Sequence, residues 1–116
     1  MNYWIQNLAP DGSPDEIGVI QLAWLGDSIW ELHQRLRHIH IPLKSKDLHL
    51  SVVNEVKAQA QSKALDEIEH LLNSFEINLI RRARNKTKRF PKSSDPAIYS
   101  RATGFEALVG WLFLKD

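Results

Sequence analysis

A long apolar segment near the start of the chain, helical in pattern, carries one carboxylate among apolar neighbours. At 100° per residue, one stripe of this segment is entirely aliphatic, as in a helix that packs on a core. The stripe comprises Leu22, Leu25, Ile29, Leu32 and Leu36. Asp27 points away from it, but the neighbours of Asp27 are also apolar. They are Ile20, Ala23, Trp24 and Trp30. A helix that is apolar on two faces is expected to be buried on both, so this carboxylate needs a positive partner.

The same anomaly recurs near the end of the chain, at Glu106. The segment from Arg101 to Leu114 is helical in pattern and nearly all apolar, and nothing in it neutralises Glu106. The residues on the same face are small or apolar, which would let another helix approach closely. They are Ala102, Val109, Gly110 and Phe113.

Two isolated acids in two apolar helices favour one shared divalent cation. Hard cations such as magnesium take oxygen ligands and leave room for waters and phosphate. For Asp27 taken alone, an arginine, a helix N-terminus or a partner subunit would also serve, as would an ordinary salt bridge or cap. The alternative for the pair is two unrelated buried acids, each in a salt bridge with its own arginine.

Positive charge is concentrated in one segment, residues 81–92. Seven of these twelve residues are Lys or Arg and none is acidic, which leaves eight basic against fourteen acidic residues elsewhere. Such a patch on an acidic body is typical of proteins that bind a phosphate backbone. A solvated basic loop without a partner is the alternative, and Arg81, Arg82 and Arg84 would also suit the C-terminal end of a helix.

The chain of 116 residues suits a single domain with one core. We assign residues 1–14 to an irregular N-terminal arm and residues 15–116 to the domain. There is no cysteine, no segment with the length and apolarity of a membrane span, and no secretory signal pattern. The cytoplasm is therefore the expected compartment.

Helical spacing without alternating polarity predicts an all-α fold of five to seven helices. The first is expected over 15–38, with Ser13 or Asp15 as its cap, and a second from about Lys44, broken near residue 50. Further helices are expected over 52–72, with Gln59, Gln61 and Lys63 on the wetter sides, and over 75–85. The last is expected over 96–114, jointed at Thr103-Gly104. The surplus of apolar faces suggests a buried dimer interface.

Several motifs together resemble the ribonuclease III family, and most closely its Mini-ribonuclease III branch. Leu25-Gly26-Asp27-Ser28 is similar to the first acidic motif of the family, and Phe105-Glu106-Ala107-Leu108 to the second. Arg84-Asn85-Lys86, Pro91-Lys92 and the run from Tyr99 to Ala107 resemble that branch. The similarity spans about residues 20 to 114.

The resemblance implies a homodimeric all-α endonuclease that cuts double-stranded RNA with magnesium and matures the large-subunit (23S) ribosomal RNA precursor. Asp27 and Glu106 would be the catalytic, metal-binding carboxylates. Ile20, Trp24 and Trp30 are assigned to the dimer interface, where Trp24 would plug into the partner subunit. The RNA-binding residues would be Arg84, Asn85, Lys86, Lys88, Arg89 and Lys92. A ribosomal protein is a further candidate partner.

Two positions depart from the broader family, which has acids where this chain has Ala23 and Thr103. The departures leave the number of metals open, with Glu31, one turn after Asp27, as a candidate to assist. They also keep open a non-catalytic dimeric RNA-binding module. A helical protein-interaction adaptor would leave the basic segment and the two acids without a purpose.

Overall fold

A computed structural model describes residues 4–40, 53–92 and 94–115, with residues 6 and 53–56 described by their backbone alone. These ranges contain helices and no strand, which confirms the all-α prediction. The helices are α1 (Val19–His38), α2 (Val53–Ile68), α3 (Ser74–Lys86) and α4 (Pro96–Lys115). Short 3-10 turns occupy Gln6–Leu8, Pro14–Glu16 and Glu69–Leu71. The helix expected from Lys44 falls outside the described residues.

The first helix ends at His38, as predicted, but begins at Val19 rather than at residue 15. The reason is that Ser13 caps a separate turn: its hydroxyl accepts a hydrogen bond from the backbone N–H of Asp15 at 3.1 Å. Ile17 then adopts an extended backbone, with φ −79° and ψ 136°, which interrupts the helix. The proline and acids of this region therefore belong to the turn Pro14–Glu16.

Local caps fix the starts of α3 and α4. The Asn73 side chain accepts from the backbone N–H of Glu76, and the Glu76 carboxylate accepts from the backbone N–H of Asn73, both at 2.9 Å. This reciprocal pair satisfies donors that the first turn leaves free. At the start of α4, the Asp95 side chain accepts a hydrogen bond from the backbone N–H of Ala97 at 2.9 Å.

The core is built around α4, which packs against α1, α2 and α3. Its buried members are mostly aliphatic or aromatic and come from all four helices. They include Leu22, Leu65, Leu79, Ile80, Ala83, Phe105, Leu108 and Trp111. The stripe predicted along α1 joins this core only at its start, because Leu32 and Leu36 are 54% and 62% exposed. No helix in the described ranges has both the length and the apolarity needed to cross a bilayer.

Small residues set the spacing between α4 and its neighbours. A methyl group on Gly26 of α1 would overlap the backbone carbonyl of Glu106, and one on Gly110 would overlap the carbonyl of Leu22. The two backbones therefore touch, which confirms that the small residues near Glu106 admit another helix.

The predicted joint at Thr103-Gly104 is wrong, because α4 is continuous from Pro96 to Lys115. Gly104 serves instead as a contact surface for α3, since a methyl group there would crowd Ile80 and Arg84. The Thr103 hydroxyl donates to the carbonyl of Tyr99 at 3.1 Å, one turn earlier. Gly104 therefore allows α3 and α4 to pack closely and does not interrupt α4.

Candidate active site

The two acids singled out by the sequence face one cleft of about 180 Å³. Helices α1, α2 and α4 form its walls, together with the segment before α4. Its lining residues are Asp27, Lys57, Ala58, Gln61, Pro91, Tyr99, Ala102, Thr103 and Glu106. The contact between Gly26 and Glu106 explains the convergence, because Asp27 directly follows the residue at which α1 touches α4. The acids are therefore neighbours rather than two unrelated buried groups.

Asp27 meets its positive partner from α2. The ammonium of Lys57 lies 2.9 Å from Oδ1 of Asp27 and 3.6 Å from Oε1 of Glu31. The Asp27 side chain is 40% exposed, so the expectation of a carboxylate on a fully buried face is wrong. The face opens into the cleft, where Asp27 keeps part of its hydration.

Glu106 is the more deeply placed of the two acids. Gln61, which is only 1% exposed, donates from Nε2 to Oε2 of Glu106 at 3.2 Å. The sequence pattern placed Gln61 on a wet side of its helix, and this was wrong. The side chain is buried because its helix face packs against α4, where the amide finds the carboxylate as its acceptor.

The electrostatics of the cleft hold a proton on Glu106. Burial, then the hydrogen bond with Asp27 and the negative charge of Asp27, raise the pKa of Glu106 to about 8, although Gln61 and Lys57 act the other way. Burial lowers the pKa of Lys57, but the hydrogen bond and charge of Asp27, with the charges of Glu106 and Glu31, outweigh it and the pKa is raised. Near neutral pH Glu106 therefore holds its proton, and Lys57 is charged.

The donor set of the cleft fits one magnesium ion. Asp27 and Glu106 line the same cleft, and magnesium commonly uses one or two carboxylates and keeps several waters. Ala23 is buried in the core and Thr103 offers only a hydroxyl, so neither position adds a charge. Among the described residues, no group of three or more His, Asp or Glu is arranged to hold a metal.

The basic segment borders the cleft. Arg84, Asn85 and Lys86 lie in the last turn of α3, and Lys88, Arg89 and Lys92 are exposed in the chain that follows. The ring of Phe90 packs edge-on against Tyr99, with centroids 5.8 Å apart, and both Tyr99 and Pro91 line the cleft. The positive charges therefore lie within a few residues of the cleft wall.

The three residues assigned to a dimer interface differ in their surroundings. Trp24 is 80% exposed and Ile20 is 45% exposed, on the side of α1 away from the core. Trp30 instead packs within the chain, where its ring meets Phe105 at 5.5 Å and 87°. Within one chain, the second apolar face of α1 is thus open rather than buried.

Sequence reasoning missed Lys57 and Gln61. They are four residues apart, and Gln61 is in turn four residues before Leu65, which is fully buried. Lys57 and Gln61 lie on the same helix face as the buried Leu65, and two polar residues on such a face are the signal that would have found them.

Comparison with known proteins identifies the class of protein to which the chain belongs. Residues 20–116 match the model of the Ribonuclease III domain, so the chain is an endoribonuclease by class. A solved structure of a protein from Fusobacterium nucleatum superposes with a TM-score of 0.73 and is 32% identical, covering 86% of this chain and 83% of that one.

The nearer relatives narrow the class to one branch. Mini-ribonuclease 3 of Gloeobacter violaceus is 44% identical over 95 residues, which cover 82% of this chain and 70% of the relative. Mini-ribonuclease 3 of Synechocystis is 32% identical over 115 residues, covering 97% of this chain and 80% of the relative. The chain belongs to the Mini-ribonuclease 3 branch of the ribonuclease III family. The resemblance seen in the acidic motifs is thereby confirmed.

Proposed function

We propose that the chain hydrolyses phosphodiester bonds of double-stranded RNA with magnesium, and that its substrate is the precursor of large-subunit ribosomal RNA. The observation that carries the proposal is the convergence of Asp27 and Glu106 in one cleft beside the basic segment. The choice of ribosomal RNA rests on the Mini-ribonuclease III resemblance alone.

Asp27 and Glu106 would hold the magnesium ion, and Gln61 would fix the orientation of Glu106 through its buried hydrogen bond. The bound ion would activate water as the nucleophile and stabilise the charge that develops on phosphate and the leaving oxygen. Glu106 gives up its proton before it can bind the ion, because a carboxylate binds metal in its ionised form.

The basic segment would hold the phosphate backbone. Contacts from Arg84, Lys86, Lys88, Arg89 and Lys92 give affinity and register without reading sequence, and Asn85 can add a polar contact. A double-stranded RNA helix is recognised mainly through its shape and its 2′-hydroxyls. The neighbourhood of this segment and the cleft supports one continuous RNA path.

A second copy of the chain would cover the open face of α1. Trp24 and Ile20 form an exposed apolar pair where solvent contact is unfavourable, and aromatic residues are enriched in interface cores. Trp30, which packs on Phe105, would lie at the margin of this contact. In such a homodimer two clefts would serve the two strands of one duplex.

A non-catalytic dimeric RNA-binding module is the second candidate. It is favoured by the alanine and threonine at positions 23 and 103, which leave the cleft with two carboxylates facing each other and one lysine. The presence of both acids in a cleft open to solvent argues for catalysis, because neither acid is needed to bind RNA.

Cleavage of a long double-stranded RNA with magnesium or with a chelator tests the proposal. The native chain is expected to cut only with magnesium, and Asp27→Asn and Glu106→Gln are expected to lose cutting. Glu67→Gln, an exposed acid on α2, is the matched control and should cut normally. RNA binding without cutting by the native chain would favour the binding module. Cutting by both variants would mean that the metal site lies elsewhere.

A further inference from the structure

We propose that Lys57 is a further catalytic residue, whose ammonium leaves Asp27 when the metal binds and contacts the phosphate that is being cleaved. The inference rests on the proposed function, because it concerns the same cleft. It assigns a role to a side chain that the two acidic motifs do not include.

The first support is position. Lys57 is the sole Lys or Arg among the described residues that line the cleft, and its side chain is only 21% exposed. Lys57 lies on α2, whereas Asp27 and Glu31 lie on α1 and Glu106 lies on α4. A partly buried ammonium at a cleft that is proposed to take an anionic substrate is placed to meet a phosphate.

The second support is competition for one carboxylate. The ammonium lies 2.9 Å from Oδ1 of Asp27, which is also a proposed ligand of the metal. Two cations within about 4 Å repel each other strongly wherever the local dielectric is low. Lys57 and the ion would therefore compete for Asp27, and we expect Lys57 to move away when the ion binds.

The third support is an alternative resting place. Glu31 lies one turn beyond Asp27 on the same helix, and its carboxylate is already 3.6 Å from the ammonium. The lysine side chain is a flexible four-carbon stem that can change partners without a backbone movement. Lys57 can thus release Asp27, stay neutralised by Glu31, and remain in reach of a phosphate bound at the ion.

The charge around Lys57 makes this second cation useful. Asp27, Glu31 and Glu106 all lie near its ammonium, and Lys57 is the cation that meets Asp27 and Glu31 in the part of the chain that the structure describes. An incoming phosphate adds negative charge that grows during the reaction, and fixed positive groups aimed at such charge are effective in water-poor sites. One divalent ion and one ammonium would share that task.

The test measures metal binding and cleavage separately in Lys57→Met. Without RNA, thermal unfolding is followed during a magnesium titration, and the variant is expected to need about five- to tenfold less magnesium for half of its stabilisation, because a competing cation is gone. With saturating magnesium, single-turnover cleavage is expected to fall by about 10²-fold. Lys57→Arg, which keeps the charge, should recover part of the rate.

Lys63→Met is the matched control, because Lys63 is exposed on the same helix. It should leave both quantities unchanged. Lys57→Gln provides a second variant if Lys57→Met does not fold. A parallel loss of magnesium affinity and cleavage would overturn the proposal and make Lys57 a support for Asp27. Tighter magnesium binding with a native cleavage rate would also overturn it. Absence of cleavage in the native chain would instead refute the proposed function itself.

Discussion

At the scale of single residues, the cleft is a set of charges that α1, α2 and α4 bring together. Glu106 is held protonated by burial and by its neighbour Asp27, so its pKa is about 8 where its ordinary value is 4.5. Lys57 balances Asp27 and Glu31 from the opposite wall. Strongly perturbed pKa values are common at functional sites. If magnesium binds here as proposed, it would replace the proton of Glu106.

Replacement of Glu106 by Gln should stabilise the metal-free protein increasingly as pH rises. Between pH 4.5 and about 8 the folded state binds a proton that the unfolded state lacks, so native stability falls as pH increases through this window. Gln has no such proton to lose. In chelator, thermal unfolding at pH 5, 6.5 and 8.5 should show an advantage of the variant that grows to the order of a few kcal/mol. A pH-independent difference would contradict the shifted pKa.

The sequence could indicate Asp27 and Glu106 because each contradicts its own helix pattern. It could not indicate what meets them, because Lys57 and Gln61 become site residues only through the packing of α2 on α4. An exposed lysine and a buried one look alike in a polar stretch. The partner of an anomalous acid is thus decided by tertiary structure rather than by local spacing.

At the scale of helices, the contact between α1 and α4 determines whether a site exists. The two backbones meet at Gly26 and Gly110, and this contact puts Asp27 beside Glu106. Caps and periodicity are local, so the bounds of α3 and α4 could be predicted to within a residue or two. The start of α1 was missed because a 3-10 turn uses the same cap and proline signals as an α-helix.

Gly26→Ala should destabilise the protein by at least about 2–3 kcal/mol, since the added methyl meets backbone rather than a side chain that can move. Urea unfolding measures the loss. Ser28→Ala, at an exposed position two residues later, is the control and should change little. Equal stability of the two variants would show that α1 and α4 are not in contact at Gly26.

The basic segment should carry much of the RNA affinity and of its salt dependence. Replacing Lys86, Lys88 and Arg89 by Gln is expected to lower the slope of log affinity against log salt by about 2–3, because each lost phosphate contact removes about one. Arg35, Arg37 and Lys63, replaced together, control for total charge. An unchanged affinity and slope in the first triple variant would exclude this segment as the RNA contact.

At the scale of the whole molecule, a single chain leaves one apolar face of α1 exposed. The open face at Ile20 and Trp24 is apolar, while the core beneath it is already formed by α4. The sequence pattern of two apolar faces on α1 is explained if the second face is buried between two copies. The sequence therefore indicates that this face needs to be buried, and a second copy of the chain is the surface that we propose for it.

Trp24→Asp should convert the proposed homodimer into a monomer, because it would place a charge in an apolar interface. Size-exclusion chromatography with light scattering measures the mass of each form. Trp4→Asp is the matched control, since Trp4 is also an exposed tryptophan, at 62%. A native protein that is monomeric, or a Trp24→Asp protein that remains dimeric, would exclude this face as the contact between copies.

The most direct test of the central claim is the shift in melting temperature that magnesium causes in the absence of RNA. The native chain should be stabilised, because an ion that binds the folded state alone raises its stability. If Asp27 and Glu106 form one site, Asp27→Asn and Glu106→Gln should each abolish the shift, and the double variant should lose nothing more. Single variants that each keep about half of the shift, or a native chain that shows none, would contradict a shared metal site.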